Sequence, residues 1–113
     1  MLEIRTYTLA SEAALLQYAD IHWARHIESL SQFGITTHHV WREAGADVFR
    51  LVALVEYEVG ADPEVVTKAY MSSAEFRDDM EGFPMDAIRG VTSVLVEPVS
   101  SDPSAGLPSV ELN

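Results

Sequence analysis

Cysteine is absent from this sequence and basic residues are scarce, with seven Lys and Arg against eighteen Asp and Glu. Without cysteine there are no disulfides, thiolate metal sites or thiol nucleophiles, a composition typical of a cytoplasmic protein. The formal charge of −11 repels phosphate groups, so we expect neither nucleic-acid nor anionic-membrane binding. No apolar run approaches the length that crosses a bilayer.

Length and composition indicate one domain followed by a tail. The 113 residues suffice for a single core, and 48% of them are hydrophobic. The chain begins directly with a strand-like pattern, from which we expect no signal peptide. Ser, Pro and Gly are frequent after Pro98, so we predict a folded domain over residues 1–99 and a flexible C-terminal tail over 100–113.

Residues 47–59 carry the strongest strand signal, with five consecutive apolar residues from Leu51 to Val55. A strand with one wet face would alternate apolar and polar residues, and this segment does not alternate at its centre. Both of its faces therefore need cover, which predicts a central strand.

Further strands and helices are predicted on either side of this strand. Ser11 is a suitable N-cap for a first helix that ends before Gly34, and 62–64 and 72–75 are typical openings of helices. The predicted order is strand 2–9, helix 12–32, strand 35–42, the central strand, a helical region from 62 to Gly82, and strand 91–99. This βαββαβ order predicts an α+β, ferredoxin-like fold: a four-stranded antiparallel sheet with strands one and three in the middle and two helices on one face.

The first helix has two lines of residues that face inward. Steps of three and four define a core stripe of Leu16, Ala19, Trp23, Ile27 and Leu30. A second line, predicted at the edge of the buried face, consists of Leu15, Tyr18, His22 and His26.

The second face of the sheet remains apolar, with Val52 and Leu54 on the central strand. Left bare, it would form a larger apolar patch than soluble monomers usually expose. We therefore expect a homodimer through the sheet faces. The alternative is a monomer whose tail folds back over the sheet.

The opening segment, residues 1–9 (MLEIRTYTL), resembles the first strand of the NIPSNAP family, within the dimeric α/β-barrel superfamily. Three further features resemble that family: Trp41, its spacing to Tyr57-Glu58, and the segment 73–80 (SAEFRDDM). The likeness spans residues 1 to about 99. The resemblance implies a ferredoxin-like dimer with a pocket between helices and sheet in each subunit.

The resemblance also has departures. Related NIPSNAP sequences often carry a histidine and a tryptophan where this chain has Ala53 and Val55, so activity that depends on those side chains is not expected here. Haem-degrading relatives in the superfamily differ at the positions of Arg5, Tyr57 and Met80, which argues against haem degradation.

Candidate pocket residues follow from the predicted strand faces. A hairpin through 43–47 would set Trp41 opposite Phe49 and His39 opposite Leu51. The helix-covered face would then carry Arg5, Tyr7, His39, Trp41 and Tyr57, with His22, His26, Tyr70 and Met80 approaching from the helices.

Arg5 is the most informative of these candidates, because a guanidinium in a semi-apolar cleft needs a negative partner. That partner is either a ligand carboxylate, phenolate or enolate, or an acid from a neighbouring element. The helix-facing side of the central strand carries no acid. Tyr7, Tyr57, Trp41, His26, Tyr70 and Met80 are candidates for ligand binding, with ordinary core packing as the alternative.

The histidines are the candidates for proton transfer. His22 and His26 lie one helical turn apart, a spacing that suits an acid/base pair or two metal ligands, but also a structural pair. No third ligand has diagnostic spacing, so we predict neither a metal nor another cofactor. Asp78, Asp79 and Glu81 have the pattern of a solvated helix face.

Three functions are compatible with these patterns. The first is a cofactor-free enzyme, similar to monooxygenases or polyketide cyclases of the superfamily, in which Arg5 stabilises an enolate or phenolate and His39 or His22 moves the proton. The second is a non-catalytic protein that binds a hydrophobic, oxygenated metabolite. The third is a dimeric interaction scaffold. Fold alone does not choose among them.

Overall fold

The computed structural model describes residues 1–99, so the predicted tail over 100–113 lies outside the described residues. Four antiparallel strands form one sheet in the order β2-β3-β1-β4. Their bounds are β1 Leu2–Leu9, β2 Ile35–Arg42, β3 Arg50–Tyr57 and β4 Ile88–Val96. The predicted central positions of the first and third strands are confirmed. β4 begins three residues earlier than the pattern predicts.

Three of the α-helices within residues 1–99 begin where the sequence provides side-chain N-caps. The helices are α1 Glu12–Gln17, α2 Ala24–Gln32, α3 Pro63–Met71 and α4 Ala74–Asp79. Ser11 accepts a hydrogen bond from the Ala14 backbone, Asp62 from Glu64 and Val65, and Ser73 from Phe76. These side chains satisfy backbone N–H groups that have no partner inside the helix.

A π-helical turn, Tyr18–Trp23, joins α1 and α2 into one helical segment. Tyr18 and Trp23 are five residues apart and both are buried, as the wider turn of a π-helix allows. The predicted single helix over 12–32 is therefore present, with this turn as its irregular centre.

The core lies between this helical segment and one face of the sheet. Leu51, Ala53, Val55 and Tyr57 alternate along β3 and are almost completely buried. Leu15, Tyr18, Trp23 and Leu30 cover them from the helices as part of the same cluster. Burial of side chains of this size stabilises a fold by about 1.5–3 kcal/mol each.

The predicted core stripe of the first helix is wrong at two positions. Leu16 and Ile27 are each 44% exposed, whereas His22 and His26, predicted at the edge, are 1% and 3% exposed. Because histidine is polar, hydrophobicity alone predicts it at the edge of the buried face. Nδ1 of each histidine has a buried hydrogen-bond partner, which removes part of the cost of desolvating the ring.

The predicted hairpin register is also wrong. A bulge lies between Thr37 and His39, so His39 pairs with Leu54 and Trp41 with Val52. One extra residue in a strand reverses which face every later side chain occupies. His39 and Trp41 therefore lie on the sheet face opposite the helices.

The centre of that opposite face is apolar, and no helix within residues 1–99 covers it. Ile4 and Val94 pair across β1 and β4, and Ile4 also pairs with Leu54 on β3. Trp41 is half exposed here and stacks on His39 with ring centroids 4.7 Å apart. We call this surface, formed by Ile4, Trp41, Val52, Leu54 and Val94, the open sheet face. Within residues 1–99, no helix combines the length and apolar character needed to cross a membrane.

Candidate functional site

A cavity of about 380 Å³ lies between the helices and strands β1 and β4. Its walls are mainly apolar and aromatic, with contributions from Trp23, Leu30, Phe76, Met80 and Val91. Val91 lines the cavity and is about half exposed, so the cavity opens to solvent on the β4 side. Polar and ionisable side chains reach the same space: Glu3, Arg5, Tyr7, Tyr18, His26, Thr67, Tyr70 and Ser93.

Arg5 forms an ion pair beside this cavity. Its Nε donates to Glu3 Oε1 at 2.5 Å, and both side chains are about nine-tenths buried. Its Nη2 donates to the Tyr57 hydroxyl at 2.7 Å and to Thr67 Oγ1 at 3.2 Å. The Tyr57 hydroxyl in turn donates to Glu3 Oε1 at 2.6 Å. Arg5 therefore has a protein carboxylate as its partner and also lines a cavity.

The Arg5 guanidinium keeps its charge in this setting. Burial by itself lowers the pKa of Arg5, but Tyr7, Glu3 and Tyr57 together raise the pKa above its ordinary value. Within residues 1–99, Nη1 makes no hydrogen bond. Arg5 therefore offers N–H groups for further hydrogen bonds, and Glu3 balances the charge of its guanidinium.

A second polar cluster is centred on Asp79, at the end of α4. Ser29 Oγ donates to Asp79 Oδ1 at 3.0 Å, and the Tyr70 hydroxyl donates to Asp79 Oδ2 at 2.6 Å. His26 Nδ1 lies 2.5 Å from the Tyr70 hydroxyl oxygen and 3.3 Å from Asp79 Oδ2. Since Tyr70 gives its proton to Asp79, its oxygen must accept one from His26, which assigns the hydrogen to Nδ1.

This assignment leaves Nε2 of His26 unprotonated. Within residues 1–99, Nε2 makes no hydrogen bond, and the fully enclosed polar side-chain atoms without a partner are Trp23 Nε1 and Thr37 Oγ1. Nε2 therefore reaches accessible space, and His26 lines the cavity. Burial lowers the pKa of His26 to about 4, against the opposing effect of Asp79, so the ring is neutral at pH 7.

His22 differs from His26 because both of its nitrogens are used. Nδ1 lies 2.7 Å from the Asp79 carbonyl oxygen, which accepts its hydrogen. Nε2 then accepts from the Gln17 amide at 3.3 Å. Within residues 1–99, His22 therefore has no nitrogen free for the proton transfer that the sequence predicts. Across residues 1–99, no three His, Cys, Asp or Glu side chains are grouped so as to hold a metal.

Aromatic side chains form part of the cavity wall. Tyr7 packs edge-on against Tyr18 and Trp23, with ring centroids 5.3 and 5.9 Å away. Burial raises the pKa of the Tyr7 and Tyr18 hydroxyls, so both remain neutral donors at pH 7. Trp23 Nε1 is fully enclosed and has no hydrogen-bond partner within residues 1–99.

The structure brings together most of the predicted ligand-binding residues, but not all of them. Arg5, Tyr7, His26, Tyr70 and Met80 line the cavity, whereas Tyr57 does not line it and accepts a hydrogen bond from Arg5. The predicted pocket positions of His39 and Trp41 are wrong, because the bulge in β2 places them on the open sheet face.

Glu3 and Asp79 are site residues that the sequence analysis missed. Glu3 lies two residues before Arg5, so the alternation of β1 already placed the two side chains on the same face. Asp79, interpreted as part of a solvated helix face, is 6% exposed. Its neighbours Asp78 and Glu81 are exposed as predicted, and no sequence pattern separates Asp79 from them.

No protein-family model and no curated protein matches this sequence. Solved structures do match. An uncharacterised NIPSNAP domain protein from Burkholderia xenovorans aligns with a TM-score of 0.70 at 13% identity, over 90% of this chain and 97% of that one. A NIPSNAP family protein of unknown function from Agrobacterium tumefaciens gives 0.70 at 17% identity, over 90% of each chain.

A putative antibiotic biosynthesis monooxygenase from Nitrosomonas europaea aligns with a TM-score of 0.60 at 13% identity, over 88% of this chain and 91% of that one. At such identities the likeness shows the fold alone. The chain has the α+β, ferredoxin-like fold that NIPSNAP proteins share with these monooxygenase-type proteins, which confirms the expected structural resemblance.

Proposed function

We propose that this protein binds a small, hydrophobic, oxygenated molecule in the cavity between its helices and strands β1 and β4. The observation that carries the proposal is the combination of a mainly apolar cavity of about 380 Å³ with the Nη1 donors of Arg5, which have no partner among residues 1–99. Small-molecule sites are typically apolar pockets with a few well-placed polar groups. Since Glu3 already balances the charge of Arg5, the site suits a carbonyl, phenol or enolate oxygen within an otherwise apolar ligand.

The cavity proposal is tested by native mass spectrometry of the purified protein, which reports any retained small molecule. Val91→Phe would fill the open side of the cavity, and Val59→Phe, at a fully exposed loop position, is the matched control. We expect the retained mass to disappear in the first variant and to persist in the second. Equal retention in both variants would place the molecule elsewhere and contradict the proposal.

We further propose that the protein is a homodimer through the open sheet face. Exposed apolar side chains from three strands, including Ile4, Trp41 and Val94, support it. A second copy of the same sheet would cover them, as a self-complementary interface requires.

Cofactor-free catalysis is the second candidate function, in line with the fold shared with the putative antibiotic biosynthesis monooxygenase from Nitrosomonas europaea. The free Nε2 of His26 beside the cavity favours it over simple binding. A proton acceptor fixed in orientation beside the ligand is what proton transfer requires, whereas ligand binding does not require one.

A further inference from the structure

Hydrogen bonds at Nδ1 hold the His26 ring in one orientation. Within residues 1–99 they leave Nε2 without a partner. Nδ1 is directed at Tyr70 and Asp79, and Ser29 fixes the other oxygen of the Asp79 carboxylate. The Phe76 ring lies parallel to the His26 imidazole, with ring centroids 6.0 Å apart. A carboxylate at Nδ1 fixes the tautomer and makes Nε2 the basic atom.

Arg5 lines the same cavity, and in the described part of the chain its Nη1 hydrogens have no acceptor. A donor of this kind stabilises negative charge that develops on an oxygen, and the effect is larger where water is excluded. His26 and Arg5 therefore supply a base and an oxyanion donor to one apolar space.

We propose that His26 is a general base that removes a proton from a carbon next to a carbonyl group of an apolar ligand. This inference rests on the proposed binding function of the cavity. The C–H bond breaks, its proton forms a new bond to Nε2, and its electron pair moves into the carbonyl group to give an enolate. Arg5 Nη1 donates to the enolate oxygen, and the step needs no oxidant or metal.

Asp79 and Tyr70 act in this step as positioning residues. When Nε2 takes up the proton, the imidazolium has the Asp79 carboxylate beside Nδ1, so the charge is formed next to its counter-ion. The neutral state of His26 in the resting protein keeps Nε2 available before the ligand arrives. Return of the proton from Nε2 completes exchange or isomerisation of the ligand.

Deuterium incorporation into β-tetralone, an aromatic ketone with acidic methylene hydrogens, tests the proposal in deuterated buffer. His26→Asn is the decisive variant, because its amide can still donate from the position of Nδ1 while Nε2 is lost. His38→Asn, at the exposed bulge in β2, is the matched control. We expect the protein to accelerate exchange, the first variant to lose about a hundredfold of that acceleration, and the control to retain it.

The outcomes separate the two proposals when β-tetralone binding is followed in parallel by ligand-observed NMR. Binding with equal exchange in the unmodified protein and His26→Asn overturns the role of His26 and leaves the binding function intact. Loss of exchange in Glu3→Gln with full exchange in His26→Asn would assign the base to Glu3 instead. Absence of binding to the unmodified protein overturns the cavity proposal and this inference with it.

The positioning role of Tyr70 has its own readout. Tyr70→Phe removes the hydroxyl and keeps the ring that packs on Phe33 and Phe76. Nitrogen NMR of labelled histidine should show the Nδ1–H tautomer of His26 in the unmodified protein and a mixture of tautomers in the variant. An unchanged tautomer together with unchanged exchange would show that Tyr70 serves packing alone.

Discussion

Glu3 and Arg5 leave β1 on the same face, two residues apart, and meet beneath the helices with Oε1 2.5 Å from Nε. Each is therefore the local counter-ion of the other in a place where water screens the charge less than at the surface. Tyr57 bridges the pair by accepting from Arg5 and donating to Glu3. The pair explains how a cation can be kept beside an apolar cavity whether or not a ligand is bound.

Arg5→Met should lower the free energy of unfolding by about 3 kcal/mol, because it leaves the buried Glu3 carboxylate without its cation. The double variant Glu3→Gln with Arg5→Met should recover most of that loss, since no charge is left unpaired. Urea unfolding followed by circular dichroism measures both values. A single variant as stable as the unmodified protein would show that the pair contributes little, as surface pairs do.

Acidification should destabilise the fold through His26. Burial lowers its pKa to about 4, whereas histidine in an unfolded chain titrates near 6.5. Between these values the unfolded chain binds a proton that the folded chain does not, so the free energy of unfolding rises with pH. The part of the free energy of unfolding that depends on neutral His26 is fully present above pH 6.5 and is lost as the pH falls to 4. The loss reaches at most about 3 kcal/mol.

His26→Asn should flatten this part of the pH dependence, and the exposed His38→Asn variant should retain it. Urea unfolding at several pH values between 4 and 7 compares the slopes. Identical slopes for the unmodified protein and His26→Asn would contradict the assignment.

Leu54→Lys should yield a monomer or an aggregate, because it places a charge in the middle of the open sheet face. Val65→Lys, on an exposed position of α3, is the matched control and should remain dimeric. Sedimentation velocity distinguishes these states. A stable, fully folded monomer of the unmodified protein at micromolar concentration would defeat the dimer proposal.

Truncation after Val99 should leave the melting temperature within a few degrees of the full chain. Ordering a segment rich in Ser, Pro and Gly costs about 1–2 kcal/mol per residue for the backbone, and this composition buries little apolar surface in return. Val110 and Leu112 are apolar residues of this segment, and their packing on the domain would be the reason for a lower melting temperature after truncation. A melting temperature lower by many degrees would make the tail part of the fold.

Local signals made the architecture predictable. Ser11, Asp62 and Ser73 are caps that act within one turn, and the apolar centre of β3 needs cover on both faces whatever its neighbours are. The ferredoxin-like topology then follows from the order of elements.

The site was less predictable because it depends on pairings that no local pattern records. The bulge near His38 moved His39 and Trp41 to the other face, although the strand itself was predicted correctly. His26 looked like an edge residue because its partner Asp79 is 53 positions away. Arg5 was recognised as a site residue, and only the pairing with Glu3 was overlooked.

The π-helical turn at Tyr18–Trp23 has a consequence for comparisons between this chain and its structural neighbours. A turn of this kind holds one residue more than an α-helical turn. When such a helix is aligned with one that is α-helical throughout, a gap of one position belongs inside the turn. An alignment without that gap would match His26 to the residue next to its counterpart on the neighbour's helix.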